Sequence, residues 1–317
     1  MALPASGNSL SLNQLHVEAG GTSGTECSLN DADIRAIIGG SDGASQNINQ
    51  YFGQSSTPPL ASSVEVATVT NSGVGNQFTF SFSGGVSDHD VVIACGFNYA
   101  ASSSHATYPN LATVSGARAQ YADAQARHYW NAGASFFNEM RIDSVVCGAS
   151  TPNTFYWNAG GSWPIAAQAG VVAIKYSTDG TTSLNGRDYK IFGTSSTQSW
   201  TGSPRPSTSA DTSTTIEVKT SSNVVITPNA STQDGVIAVA FRGGDAGSGL
   251  GSANLSPNRT GDTSGSLTLY GGNHIKYWSK AETPAQAGST SYTTTNVNTG
   301  WGGTSWMYFG AAFELVR

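Results

Sequence analysis

Four small groups of residues in this chain have types and spacing that could do chemistry. Gly39-Gly40-Ser41-Asp42-Gly43 has the spacing of the turn that presents a nucleophilic serine in hydrolases. That turn needs a buried strand before it and a helix after it, whereas this one follows a short helical pattern within a glycine-rich loop. Asp88-His89-Asp90 gathers three potential metal ligands, yet neighbouring residues of an extended chain point apart, so the segment reads as a turn in which Asp90 makes the contact. His128 and His274 precede aromatic segments and have no serine or cysteine partner in the pattern, which assigns them structural roles. Asp31-Ala32-Asp33 lacks the glycine and distal glutamate of a calcium loop and suits the positive end of a helix. These readings exclude an enzyme: no catalytic, cofactor-binding or metal-binding residue is expected.

The tryptophans are better candidates for binding. Trp157, Trp200 and Trp301 lie among Gly, Ser, Thr and Asn, the setting of an exposed loop. A ring there meets a neighbouring subunit, stacks on the face of a sugar or simply packs locally, and subunit contact is the favoured reading. Tyr129-Trp130 and Tyr277-Trp278 recur at similar places, and one ring of each pair is expected in a core.

Composition narrows the field. Only 11% of the 317 residues are charged and 38 are glycine, the balance of an all-β protein kept soluble by hydroxyls and amides. Fourteen basic against 20 acidic residues argue against nucleic acid or an anionic membrane as partner. Met1 to Leu12 has no basic segment followed by a long apolar one, and no later stretch is apolar for long enough to span a bilayer, so the chain is expected to stay in the cytosol that made it. The odd cysteine count, Cys27, Cys95 and Cys147, fits three reduced, structural thiols.

The elements that position these residues announce themselves by repetition. Asp90-Val91-Val92-Ile93-Ala94-Cys95-Gly96-Phe97 is echoed by Asp234-Gly235-Val236-Ile237-Ala238-Val239-Ala240-Phe241, each the pattern of a strand buried on both faces. Further echoes follow in order: Asn110-Leu111 with Asn254-Leu255, Tyr129-Trp130 with Tyr277-Trp278, and Gly170 to Ile174 with Gly310 to Glu314. The offset stays between 140 and 148 residues, as loop insertions would leave it. Short alternating runs, cleanest at Phe78-Thr79-Phe80-Ser81-Phe82, are separated by turn signals. The expected fold is mainly β: a small N-terminal helical module, 1–53, then two self-contained, tandem, homologous β-sandwich domains of jelly-roll type. The first covers 57–193, with Tyr189 to Gly193 as its tail, and the second covers 216–317. A Ser/Thr/Pro-rich linker or long loop, 194–215, separates them.

In the N-terminal module, Ser11 is placed to cap a helix whose third residue, Gln14, returns the hydrogen bond. A second helix is expected from Ser28 through Ile38, and a third turn through Ile48, Tyr51 and Phe52. Leu12, Leu15, Ile34, Ile37 and Ile38 form its apolar face. Helices this short are marginal alone, so that face is expected to be an attachment interface.

The run Ser9-Leu10-Ser11-Leu12-Asn13-Gln14-Leu15-His16-Val17-Glu18-Ala19-Gly20-Gly21-Thr22-Ser23-Gly24-Thr25, continued by Cys27 to Ile38, resembles the N-terminal segment of virion structural proteins of tailed phages, most closely those of marine and cyanobacterial hosts. In that family a Ser-Leu-Asn-Asp-Ile type opening precedes varied β-rich regions; here Gln14 and Leu15 replace the commoner Asp and Ile. The resemblance implies a shared attachment module on a virion protein assembled in the host cytoplasm, a tail or baseplate appendage or fibre component. A capsid decoration protein and a carbohydrate-binding protein are the alternatives. Its partners would be other virion proteins and copies of itself, with a trimer favoured, and a host-surface glycan is a further candidate.

Overall fold

Helix α1, Leu12–Glu18, begins where the cap predicts: Gln14 N donates to Ser11 Oγ at 3.2 Å and Ser11 N donates to Gln14 Oε1 at 2.7 Å, satisfying two groups that a bare helix start would leave open. This computed structural model describes residues 10–19, 22–24, 26, 28, 29, 31, 34, 37, 47–51, 61–70, 77–100, 109–129, 137–158, 168–178, 183–193, 200–204, 216–218, 224–226, 235–244, 261–269, 274–282, 292–294 and 306–316. The chain divides into two compact units, Met1–Pro59 and Leu60–Arg317. In the first, α1 is accompanied by a 3-10 turn, Ile48–Tyr51. Of the expected second helix, only scattered residues lie within the described set.

The second unit is mainly β. Its strands are β1 (Ala61–Thr70), β2 (Gln77–Ser81), β3 (Val91–Ala100), β4 (Asn110–Leu111), β5 (Ala119–Tyr129), β6 (Phe137–Val146), β7 (Thr154–Asn158), β8 (Gln168–Thr178), β9 (Ser183–Gly193), β10 (Trp200–Pro204), β11 (Ile216–Val218), β12 (Val224–Ile226), β13 (Gly235–Gly244), β14 (Thr263–Thr268), β15 (His274–Glu282), β16 (Tyr292–Thr294) and β17 (Trp306–Val316). They form two six-stranded sheets, ordered β1-β8-β3-β6-β5-β10 and β11-β9-β17-β13-β15-β14. A three-stranded sheet, β2-β7-β4, and a pair, β12-β16, complete the set. All pairs are antiparallel except β11 with β9.

Strand β3 shows why the layers stack. Its odd residues Val91, Ile93, Cys95 and Phe97 enter a core shared with Ile237, Val239 and Phe241 of β13, so the two large sheets face each other. Its even residues Val92 and Ala94 enter a second core with Phe78, Phe80 and Phe82, beneath the three-stranded sheet. There the Phe80 and Phe155 rings stack at 5.3 Å, with Phe82 set edge-on to Phe155 at 5.8 Å. The turn after β2 is clasped to the first sheet by Glu65 of β1. Its carboxylate accepts from Ser83 N and Oγ and from Gly84 N, and pairs with Lys175 Nζ at 3.1 Å. Between the large sheets, Tyr176 OH lies 2.8 Å from Ser279 Oγ, which donates to Ala238 O at 3.1 Å.

Three expectations are revised. The halves are not self-contained, because the face of β3 left uncovered by the small sheet is covered by the other half, and 60–317 is one unit. The boundary at 193 moves: β9, expected as the tail of the first domain, pairs with β17 and β11 in the second large sheet, while β10, within the expected linker, pairs with β5 in the first. Local alternation fixes a strand's faces but not its neighbours. Finally, Tyr129 and Tyr277 are not equivalent. Tyr277 lies opposite Phe241, whereas Met140 is opposite Phe97, and Tyr129 sits one strand further out, opposite Phe137.

Candidate functional site

The row expected to be an attachment face is turned inward. Leu15 and Ile34 are wholly buried, and they pack with Ile37 and Tyr51 into a small core at whose margin Leu12, Leu29 and Ile48 sit. These side chains hold the module together rather than present a surface, because a unit this small must spend its few apolar residues on its own interior. Ile38 lies outside the described residues. What the module exposes instead is Val17, at 39%, and the polar face of α1, where Asn13 Oδ1 accepts from Gly24 N at 2.8 Å and fastens the loop after the helix.

Trp157, expected in an exposed loop, is fully buried on β7. Its indole lies flat on β3 at Gly96, where a Cβ would stand 2.2 Å from Cζ2. Glycine is needed there because any side chain would occupy the ring's place. Within β7 the burial alternates, with Thr154 and Tyr156 turned outward and Phe155 and Trp157 toward the core, so the polar residues beside Trp157 do not report its own face. Trp200 lies on β10, opposite His128. Trp301 lies outside the described residues. Trp278 is buried.

Asp88, His89 and Asp90 serve separate ends. Arg118 Nε and Nη2 bond Asp88 Oδ1 and Oδ2 at 2.6 and 2.7 Å, and this pairing holds the Asp88 carboxyl below its ordinary range. His89 adopts a left-handed φ of 66°, and its carbonyl accepts from Thr178 Oγ1 at 2.8 Å. Asp90 is nearly buried and accepts from Ser87 N at 2.9 Å, closing the turn that leads into β3.

The most concentrated polar chemistry was missed in the sequence. On the face of the first large sheet that also bears Val92 and Ala94, register places Asp143 opposite Ala94, Arg141 between Gly96 and Gln125, and Glu139 opposite Asn98. All of these polar residues are buried. Arg141 Nε donates to Asp143 Oδ1 at 2.6 Å, and Asp143 Oδ2 accepts from Leu111 N at 2.7 Å, tying β4 of the small sheet to β6. Gln125 Oε1 and Trp157 Nε1, which flank Arg141, are buried without a hydrogen bond. In the second large sheet the positions of Asn98 and Glu139 are taken by Arg242 and Lys276, with Tyr308 on the other side of Arg242. Burial pulls the Arg242 guanidinium down to about 10 against the opposing influence of Tyr308, and burial followed by the charge of Arg242 lowers Lys276. One signal of this belt was present: Met140-Arg141-Ile142-Asp143-Ser144 alternates charge with apolar bulk, which in a doubly covered strand puts the charges under a roof.

Arg141 and Asp143 clasp β6 to β4. The nearest thiol, Cys95, faces the opposite core and is pushed up well beyond its ordinary value by burial and then by Asp143, which keeps it protonated and unreactive. Neither protein-family models, nor curated proteins, nor solved structures yield a match to this chain.

Proposed function

We propose that this chain is a non-enzymatic structural protein of a tailed-phage virion, an appendage of the tail or baseplate attached through its N-terminal unit. The observation that carries the reading is the division of the chain into Met1–Pro59 and Leu60–Arg317. The stretch that resembles the virion segment coincides with a unit closed around its own core, as a module reused on different bodies requires. Since Leu15, Ile34 and Ile37 are consumed inside, attachment falls to the exposed face of α1 that carries Val17. The body is the displayed part, and its low charge suits packing among other virion proteins and copies of itself.

The finer reading of the body is two jelly-roll-like sandwiches related by duplication and packed back to back. In its support, the orders β1-β8-β3-β6 and β2-β7-β4 are those that two Greek keys generate. Renaming β9, β13, β14, β15 and β17 as β1, β3, β5, β6 and β8 gives the second large sheet the order β1-β8-β3-β6-β5 of the first, with β12 and β16 as β2 and β7; the sixth strands, β10 and β11, stand at opposite edges. Ile93, Cys95 and Phe97 then match Ile237, Val239 and Phe241, and all six face the shared core.

Labelling the protein with gold on infected-cell particles, followed by electron microscopy, tests the assignment. Label on tail or baseplate supports it, label on the head shell favours a capsid decoration protein, and unlabelled particles exclude both. Binding of a host glycan is a second function of such a body, with Trp200 and Trp301 left as its candidate contacts.

A further inference from the structure

We infer that the outer edge of β14 is a contact between two copies of this chain, β14 of one pairing antiparallel with β14 of the other around a two-fold axis. Strand β14 closes the second large sheet and, among the described residues, pairs only with β15. Ser264, Gly265, Ser266 and Thr268 are exposed. An edge of this kind offers a row of unmet N–H and C=O groups to any strand that can lie beside it.

The other half of the molecule shows what such an edge takes. Register from the central strands outward equates the two edges: Cys95 is opposite Ile142, which is opposite Ala124, while Val239 is opposite Ser279, which is opposite Thr263. Residues 263–267 therefore stand where 124–128 stand in the first sheet. On 124–128, from Ala124 to His128, the chain has laid β10, antiparallel, from Pro204 to Trp200. The segment that receives an added strand in one half is, among the described residues, the segment left open in the other.

The chemistry of the open edge selects a second copy as the occupant. Thr263-Ser264-Gly265-Ser266-Leu267-Thr268 contains no charge and no proline, the two devices that keep an edge from pairing with itself. Around a two-fold axis, small hydroxyl side chains come opposite one another with no like charges to repel, and Thr and Ser pairs across strands are favourable. Such a contact is self-complementary and closes at two copies. The inference rests on the self-association part of the reading above and gives it a geometry, a dimer in place of the favoured trimer. Particle labelling tests the setting and the solution measurement tests the contact, so either can fail alone.

Sedimentation equilibrium of the full chain from about 1 µM to about 1 mM covers the range of small, weak interfaces. The expected result is a reversible monomer–dimer equilibrium. In S264K/S266K, which alters two exposed side chains, the dissociation constant should rise at least tenfold with unchanged circular dichroism, while S264T/S266T should keep the dimer. As a second readout, amide exchange across 263–268 in the parent protein should slow at high concentration. A monomer throughout, a trimer, an equal constant in the lysine variant, or exchange independent of concentration would overturn the inference.

Discussion

The ring of Phe97 on β3 lies against the backbone of Gly243 on β13, so closely that a Cβ on Gly243 would stand 2.3 Å from Phe97 Cδ2. The two large sheets touch here with nothing between a ring and a main chain. Replacing Gly243 by Ala should destabilise the body by about 1–3 kcal/mol, because the shared core cannot widen at one point without moving a sheet. Urea unfolding measures it. Adding Phe97→Leu to Gly243→Ala should restore part of the loss, and additive effects would show that the two residues do not meet.

Acid should loosen the clasp at Glu65. Burial pushes this carboxyl up, but hydrogen bonds from Ser83, Lys175 and Gly84 overcome that and bring it down to about 2 from 4.5. A group depressed on folding stabilises fully above its unfolded value and loses that contribution as pH falls toward its folded one. The stability difference between the parent protein and Glu65→Gln should therefore be constant above pH 4.5 and shrink from there to about 2. A difference that stays level through this window would show that the carboxylate's charge is not what holds the turn.

Both described thiols should be silent in the native state. Cys95 is wholly buried, and Cys147, also buried, is pushed up to about 12, first by burial and then by Asp90, with Lys175 opposing. In a Cys27→Ser background, an aromatic disulfide reagent at pH 8 should release no colour until denaturant is added, and then two equivalents. Release from folded protein would mean that the shared core opens on the timescale of the assay.

Leu15→Ala should unfold the N-terminal unit and spare the rest. Deleting a wholly buried leucine costs about 2–5 kcal/mol, a large fraction of what so small a core can hold. Limited proteolysis should trim the variant to a fragment beginning near Leu60, with the thermal transition of the remainder unchanged. A lowered transition for the body would show that the two units fold as one.

What the sequence revealed, and what it hid, follows from how far each signal reaches. The cap at Ser11 and Gln14 spans four residues, and the alternation at Phe78, Phe80 and Phe82 spans five, so both were legible and both hold. The doubly apolar pattern of Val91 to Phe97 was equally legible, but it names two covers without naming them; that one cover is β13 is a fact about residues far along the chain. For the same reason the end of β9 was recognisable as extended yet assigned to the wrong company, while β10 was hidden inside a Ser/Thr/Pro-rich stretch that reads as linker or loop. Trp157 misled because the polar residues around it say nothing of which face of its strand it occupies. The belt around Arg141 escaped because it is assembled from three strands, none of which carries more than two or three of its members.

The position of β17 has a mechanical consequence. This strand is paired along its whole length on both sides, with β9 and with β13, whereas β1, which follows the N-terminal unit, is paired among the described residues with β8 alone. Tension between the N-terminal unit and β17 would be borne unequally: at β17 two ladders must slide together, at β1 only one. Under load the first sheet would peel from β1 inward while the second stayed whole, leaving the shared core as the last part to yield. For a protein held at one end and pulled at the other, β1 would act as a fuse, and the Glu65 clasp, which fastens β1 to the turn after β2, would set the force at which it gives way.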